Sequence, residues 1–144
     1  MTVLRLPLLS IAVAAALSAC GDTLDRADAG NSEAVALGEK LYAENCAECH
    51  KADLKGEPNW RETKDDGTLP APPHDDSGHT WHHDDQLLFK YTKMGGAGVA
   101  PASFKSAMPG FGASLSDHEI WAVLSYIKSR WSLKAQARQA GLNK

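Results

Sequence analysis

Apolar residues recur at spacings of three and four along three stretches of this chain, and each stretch predicts an amphipathic helix. The clearest is C-terminal, where Ile120, Val123, Leu124, Ile127 and Trp131 share one face. Just before it, Ser116 and Glu119 hold the positions of a capping box, serine at the cap and glutamate three residues on. A second helix is predicted from Glu33, with Val35, Leu37, Leu41 and Tyr42 on its apolar side and Gly38 four positions before Tyr42. A third is predicted over residues 84–94. Acids fill its first turn, Leu87, Leu88 and Tyr91 lie on one side, and Gly95-Gly96 ends it. Residues 133–140 favour helix with a weaker stripe, and are predicted to extend the last helix or to fray.

Between these helices the periodicity disappears. Residues 51–83 hold four of the seven prolines (Pro58, Pro70, Pro72, Pro73) together with Gly56, Gly67 and Gly78. A loop of that length is normally a binding loop or disorder. Residues 95–115, rich in Gly, Ala, Ser and Pro, read as another loop. No strand, repeat or membrane span is predicted beyond residue 19. With 144 residues in all, the expected fold class is all-α, one small helical domain with long ordered loops.

The N-terminus reads as targeting rather than fold. Residues 1–5 carry one positive charge, and residues 6–16 are apolar apart from Pro7 and Ser10, too short to span a bilayer. Leu17-Ser18-Ala19 then precedes Cys20, a string similar to a bacterial lipobox, in which the cysteine becomes the lipidated first residue of the mature protein. The expected organisation is a lipoprotein signal peptide at 1–19, a flexible tether at 20–32, the helical domain at 33–133 and a basic tail at 134–144. That places the protein in the bacterial periplasm, held to the membrane by the lipid on Cys20.

Without residues 1–19 the chain has 14 basic and 18 acidic residues, a net charge of −4. This balance gives no support to nucleic-acid binding. The charge is uneven. Eight acids lie in residues 57–85 against Arg61 and Lys64, whereas residues 120–144 contain five bases and no acid. A bipolar surface can orient a protein toward a charged partner or lipid; the plainer reading is a solvated face and a basic helix end.

The chemistry is concentrated in Cys46-Ala47-Glu48-Cys49-His50. Cys-x-x-Cys-His is the attachment motif of c-type haem. Two thiols one helical turn apart reach two vinyl groups of one porphyrin, and the histidine projects toward the same face as an axial ligand. The three cysteines are then all assigned, Cys20 to lipid and Cys46 and Cys49 to haem. Such a cofactor also gives the 51–83 loop a surface to pack on. Met108, in Ala107-Met108-Pro109-Gly110-Phe111-Gly112, is the leading candidate for the sixth iron position. Its thioether is a soft donor that favours ferrous iron. The alternative is loop packing. Met94, near a predicted helix end, is expected to pack. His74, His79, His82 and His83 cluster in an Asp-rich loop that could bind copper or zinc, supply a distal histidine, or simply bond to backbone and carboxylates. His118, inside the capping box, is expected to be solvated.

In their order and spacing these features resemble a class I c-type cytochrome, in a single-haem bacterial lipoprotein form. The resemblance covers residues 33–131. It implies a cytochrome c fold wrapped round one covalent haem c, with His50 and Met108 as axial ligands. It also implies a close crossing of the first and last helices at Gly38, flanked by Tyr42 and Tyr126. A proline carbonyl should orient the His50 imidazole, from either Pro70 or Pro72, and Trp60, Arg61 and Trp81 are possible propionate contacts. The implied function is one-electron transfer between redox partner proteins, without catalysis. The rival readings are a five-coordinate haem enzyme or gas sensor, and a periplasmic copper or zinc protein using the histidine-rich loop. Thiol–disulfide exchange would need an alternating strand–helix pattern, which is absent.

Overall fold

The computed structural model describes residues 23–143, so the targeting segment and Cys20 lie outside the described residues. Six helices are present: α1 (Ser32–Asn45), α2 (Ala47–His50), α3 (Asp85–Met94), α4 (Gly96–Val99), α5 (Asp117–Ser129) and α6 (Leu133–Ala140), with a 3-10 turn at Thr80–His82. Among the described residues no strand forms, and the only β pairing is an isolated parallel bridge between Thr68 and Lys105. The fold is all-α, as the pattern predicts.

The centre of the molecule is the crossing of α1 and α5. Asn31 caps α1 by accepting from the amides of Glu33 and Ala34 at 3.1 and 3.0 Å. Ser116 and Glu119 form the predicted capping box on α5, with Glu119 Oε2 accepting from the Ser116 amide at 2.8 Å. From Ile120 to Ile127 every residue of α5 is buried. A helix covered on all sides in this way is a core element rather than a surface one. The backbones meet at Gly38, where an added Cβ would lie 2.5 Å from the Ala122 carbonyl carbon and 2.9 Å from Tyr126 Cβ. Only a residue without a side chain permits that approach. The Tyr42 and Tyr126 rings fill the flank, their centroids 5.3 Å apart.

Two regions depart from expectation. Residues 23–31 are not free tether. The Leu24 amide donates to His118 Nδ1 at 3.2 Å, the Asp28 amide donates to the buried Ser125 Oγ at 2.9 Å, and Lys128 Nζ donates to the Ala27 carbonyl at 3.3 Å. His118 is thus an acceptor for this segment rather than a solvated side chain. Residues 133–140 neither extend α5 nor fray. The chain breaks at Arg130, and Ser132 caps a separate helix, α6.

Helix α6 holds the long loop in place. The Trp131 Nε1–H donates to the His74 carbonyl at 2.8 Å and the Ser132 amide to Asp76 Oδ1 at 2.9 Å. Gln139, fully buried, donates to the His83 carbonyl and to Asp85 Oδ1. Asp85 also pairs with Lys128 at 3.0 Å and accepts from Asn143. Part of the acidic run is thus engaged in the fold. Asp84 caps α3, Asp85 is buried in an ion pair, and Asp76 and Glu57 accept backbone amides. Lys128, one of the five C-terminal bases, is consumed in the same network.

Candidate cofactor site

Cys46 ends α1, its amide bonded to the Tyr42 carbonyl at 2.9 Å. Its own carbonyl accepts from the amides of Cys49 and His50 at 3.2 and 2.9 Å. The five residues thus make one turn of helix, and both thiols are unpaired. Cys49 is exposed and Cys46 half-buried. Burial, with Cys49 nearby, pushes the Cys46 thiol up to about 11. A redox-active Cys-x-x-Cys pair needs the opposite shift, toward thiolate. The Cys46 shift runs the other way, which gives no support to thiol–disulfide exchange.

His50 is 8% exposed. Its Nδ1–H donates to the Pro72 carbonyl at 2.8 Å. That bond selects Pro72 over Pro70 as the orienting proline. It also fixes the tautomer in which Nε2 carries a lone pair, as a metal-bound imidazole requires. Burial lowers the His50 pKa, partly opposed by the Pro72 bond, so the ring is held neutral.

The chain reaches this geometry through a tight return after the motif. Lys51, Leu54 and Gly56 all take positive φ, and the Gly56 amide donates to the His50 carbonyl at 3.0 Å. An added Cβ at Gly56 would lie 2.5 Å from the Ala71 carbonyl oxygen. The segment carrying Pro72 passes directly over it. Leu54, almost completely buried, accepts the His74 amide at 2.7 Å.

The histidine tract is dispersed rather than gathered. His74 lies against His50, ring on ring, with centroids 3.9 Å apart and planes 29° from parallel. Its Nδ1 is 3.0 Å from Thr80 Oγ1. Burial drives the His74 pKa well down. His79 stacks on Trp60 at 5.3 Å, His83 meets His79 edge-on at 5.6 Å, and His82 lies against Trp81. Among the described residues no three His, Cys, Asp or Glu side chains converge to hold a metal ion. The copper or zinc reading therefore has no cage, and His74 sits on the His50 side as a neighbour of that ring. Of the expected propionate contacts, the Trp81 Nε1–H is engaged with the Asp76 carbonyl at 3.3 Å, and Arg61 lies over the Trp60 ring at 4.0 Å.

Met108 sits half-buried in a loop docked on the end of α3. Its carbonyl accepts the Gly96 amide at 3.1 Å, and Phe111 and Gly112 donate to the Thr92 and Lys93 carbonyls at 2.9 Å. Two glycines allow the contact. A Cβ on Gly95, which has φ +76, would lie 2.6 Å from the Gly110 amide nitrogen, and one on Gly110 would lie 2.7 Å from the Met94 carbonyl carbon. Met94, expected to pack, is 57% exposed.

The donor set suits a covalent porphyrin: two free thiols one helical turn apart, a neutral imidazole bonded through Nδ1, and a thioether in a nearby loop sequence. No solved structure matches this chain. The chain is similar over 47 residues, at 40% identity, to the cbb3-type cytochrome c oxidase subunit CcoP of Rubrivivax gelatinosus. That stretch is 33% of this chain and only 16% of the subunit. The family model for cytochrome c matches residues 35–131, from the first turns of α1 to the residue that follows α5's cap. A match over most of the chain identifies it: the protein belongs to the cytochrome c family, and its cofactor is covalent haem c.

Proposed function

We propose that the protein is a one-electron carrier of the bacterial periplasm, anchored to the membrane by lipid on Cys20. Cys46 and Cys49 make the two thioether bonds, and His50 Nε2 and the Met108 sulfur are the axial ligands. When bound, haem supplies a one-electron iron couple at this site. The chain's part is to hold and tune it. Pro72 fixes the His50 ring so that ligand geometry changes little between oxidation states. Met108 fills the position a substrate would need, which makes the protein a carrier rather than a catalyst. The neutral His50 imidazole with its Nδ1–H on Pro72 is the observation that carries this reading.

Membrane residence rests on Cys20, since no helix among the described residues is long and apolar enough to cross a bilayer. The relative's description as an oxidase subunit supports a membrane oxidoreductase as the redox partner. Optical spectra of the purified protein test the haem assignment. Sharp c-type bands on reduction, pigment that stays with the polypeptide in acid–organic solvent, and the weak near-infrared band of methionine–iron bonding are expected. Rapid carbon monoxide binding by the reduced wild type would instead identify a five-coordinate haem and refute the carrier.

A further inference from the structure

The docked segment 23–31 changes what an N-terminal anchor does. Eleven free residues between Cys20 and α1 would reach about 40 Å when extended and would average roughly 20 Å as a flexible chain. Residues 23–31 are not free. Leu24 packs on the core cluster and Ala27 is 6% exposed. The segment runs along α5, from His118 in its first turn to Ser125 and Lys128 near its end. Two of these bonds use backbone amides as donors, and the third uses a backbone carbonyl as acceptor. Among the described residues the contact nearest Cys20 is at Leu24. Three residues lie between the two, so the link of four Cα–Cα steps reaches at most about 14 Å.

We propose that residues 23–31 act as a strap that shortens the anchor and sets the cytochrome's orientation on the bilayer. The surface turned to the lipid is the N-terminal end of α5 with the turn before it, residues 110–116. The inference rests on lipidation of Cys20. A lipidated Cys20 lies at the headgroup level, so α5's first turn cannot rise farther above it than the short link allows. The turn that follows Met108 is covalently joined to that end of α5. The exposed Lys93–Asp117 ion pair, 2.6 Å long, also lies there. Helix α6 and the Asp85–Lys128 network sit at the other end of α5, where Lys128 lies one residue before its last. The domain rides with its methionine loop toward the membrane and its C-terminal helix away from it.

The test uses the full-length lipidated holoprotein in aligned phosphatidylethanolamine–phosphatidylglycerol bilayers. Linear dichroism of the haem band reports orientation, hydrogen exchange at the Leu24 and Asp28 amides reports docking, and the mass of the N-terminal peptide reports the lipid. Dichroism should be strong in the wild type, and both amides should exchange at least about tenfold slower than in free chain. Inserting twenty Gly-Ser residues between Asp22 and Thr23 should abolish the dichroism and leave amide protection unchanged. His118→Ala should speed exchange at Leu24 and weaken the dichroism. Isotropic haem in proven lipoprotein, or free-chain exchange at both amides, would overturn the proposal. An unmodified Cys20 would also overturn it, and with amide protection intact that result assigns the failure to the anchor rather than to the strap.

Discussion

The two halves of the proposed haem site are held by different means. On the His50 side the imidazole is buried, bonded through Nδ1 to Pro72, backed by His74, and closed in by a loop pinned by Trp131, by the α6 cap Ser132 and by Gln139 of α6. On the Met108 side the loop is half-exposed and docks through backbone contacts at the end of α3, with Phe111 packed on the core. The first arrangement uses many independent bonds, so losing one leaves the rest in register. The second relies on close approach of two glycines, so its docking is shape-dependent and its opening costs little else. The His50 half adds side-chain hydrogen bonds to its main-chain ones, whereas the Met108 half rests chiefly on main-chain bonds.

Removing each proposed ligand in turn should give the largest contrast. His50→Ala should abolish maturation, with haem content of the purified protein falling below a tenth of wild type. Met108→Ala should retain its haem and fold, and gain rapid carbon monoxide binding in the reduced state. Equal haem loss in the two variants would contradict the asymmetry.

Glycine substitutions probe the same contrast without touching a ligand. Gly56→Ala meets a positive φ and the Ala71 carbonyl together. The backbone conformation alone costs about 1–3 kcal/mol, and the clash adds to it. Global stability in denaturant should therefore drop. Gly110→Ala should instead loosen the methionine loop, raising the carbon monoxide rate with a smaller change in the denaturation midpoint. If Gly110→Ala proved the more destabilising of the two, the distal loop would be as integral to the fold as the proximal one.

Much of this was visible before the coordinates, and what was hidden has physical reasons. The capping box at Ser116, the stripe from Ile120 to Trp131, Gly38 with its tyrosines and the Cys46–His50 turn are all side-chain signals, and each has its expected place. The choice of Pro72 over Pro70 depends on where a carbonyl points after a 22-residue excursion, which residue type does not encode. Helix α6 shows a weak stripe because its buried residues are Ala135 and Gln139, a small residue and a polar one. The bonds of residues 23–31 to α5 all involve the segment's own main chain, so residue type predicts only a tether there. His74 is the same residue type as His79, His82 and His83, and only the path of the loop puts its ring on His50.

The next effect is smaller. Trp131→Phe keeps most of the ring but removes the donor to the His74 carbonyl. A lost neutral hydrogen bond of this kind costs about 1 kcal/mol. The denaturation midpoint should fall accordingly, while carbon monoxide binding by the Met108→Ala background stays unchanged. A change in that rate would mean α6 supports both halves.

The smallest effect is in pH, and it separates the halves by their chemistry. Five of the six histidines lie in residues 50–83, and none lies in the 95–115 loop. Burial lowers the pKa of both His79 and His83; neighbouring histidines and Arg61 lower His79 further, and at His83 Asp84 partly opposes the shift. The unfolded chain binds protons at these positions from about pH 6.5 downward, where the folded protein resists them. Stability should thus be level above that pH and decline as the medium is acidified through it, because the unfolded state takes up more protons. The loss should stop once the pH passes below the depressed folded values. Replacing both residues, His79→Gln with His83→Gln, should reduce the slope measured by denaturation between pH 5 and 7, the remainder coming from His74, whose pKa burial also lowers. The carbon monoxide rate of Met108→Ala should stay constant over the same range, since no histidine supports that loop. A rate that tracked the stability curve would show that the loops communicate. The Thr68–Lys105 bridge, the one backbone pairing between them, would then be the first contact to cut.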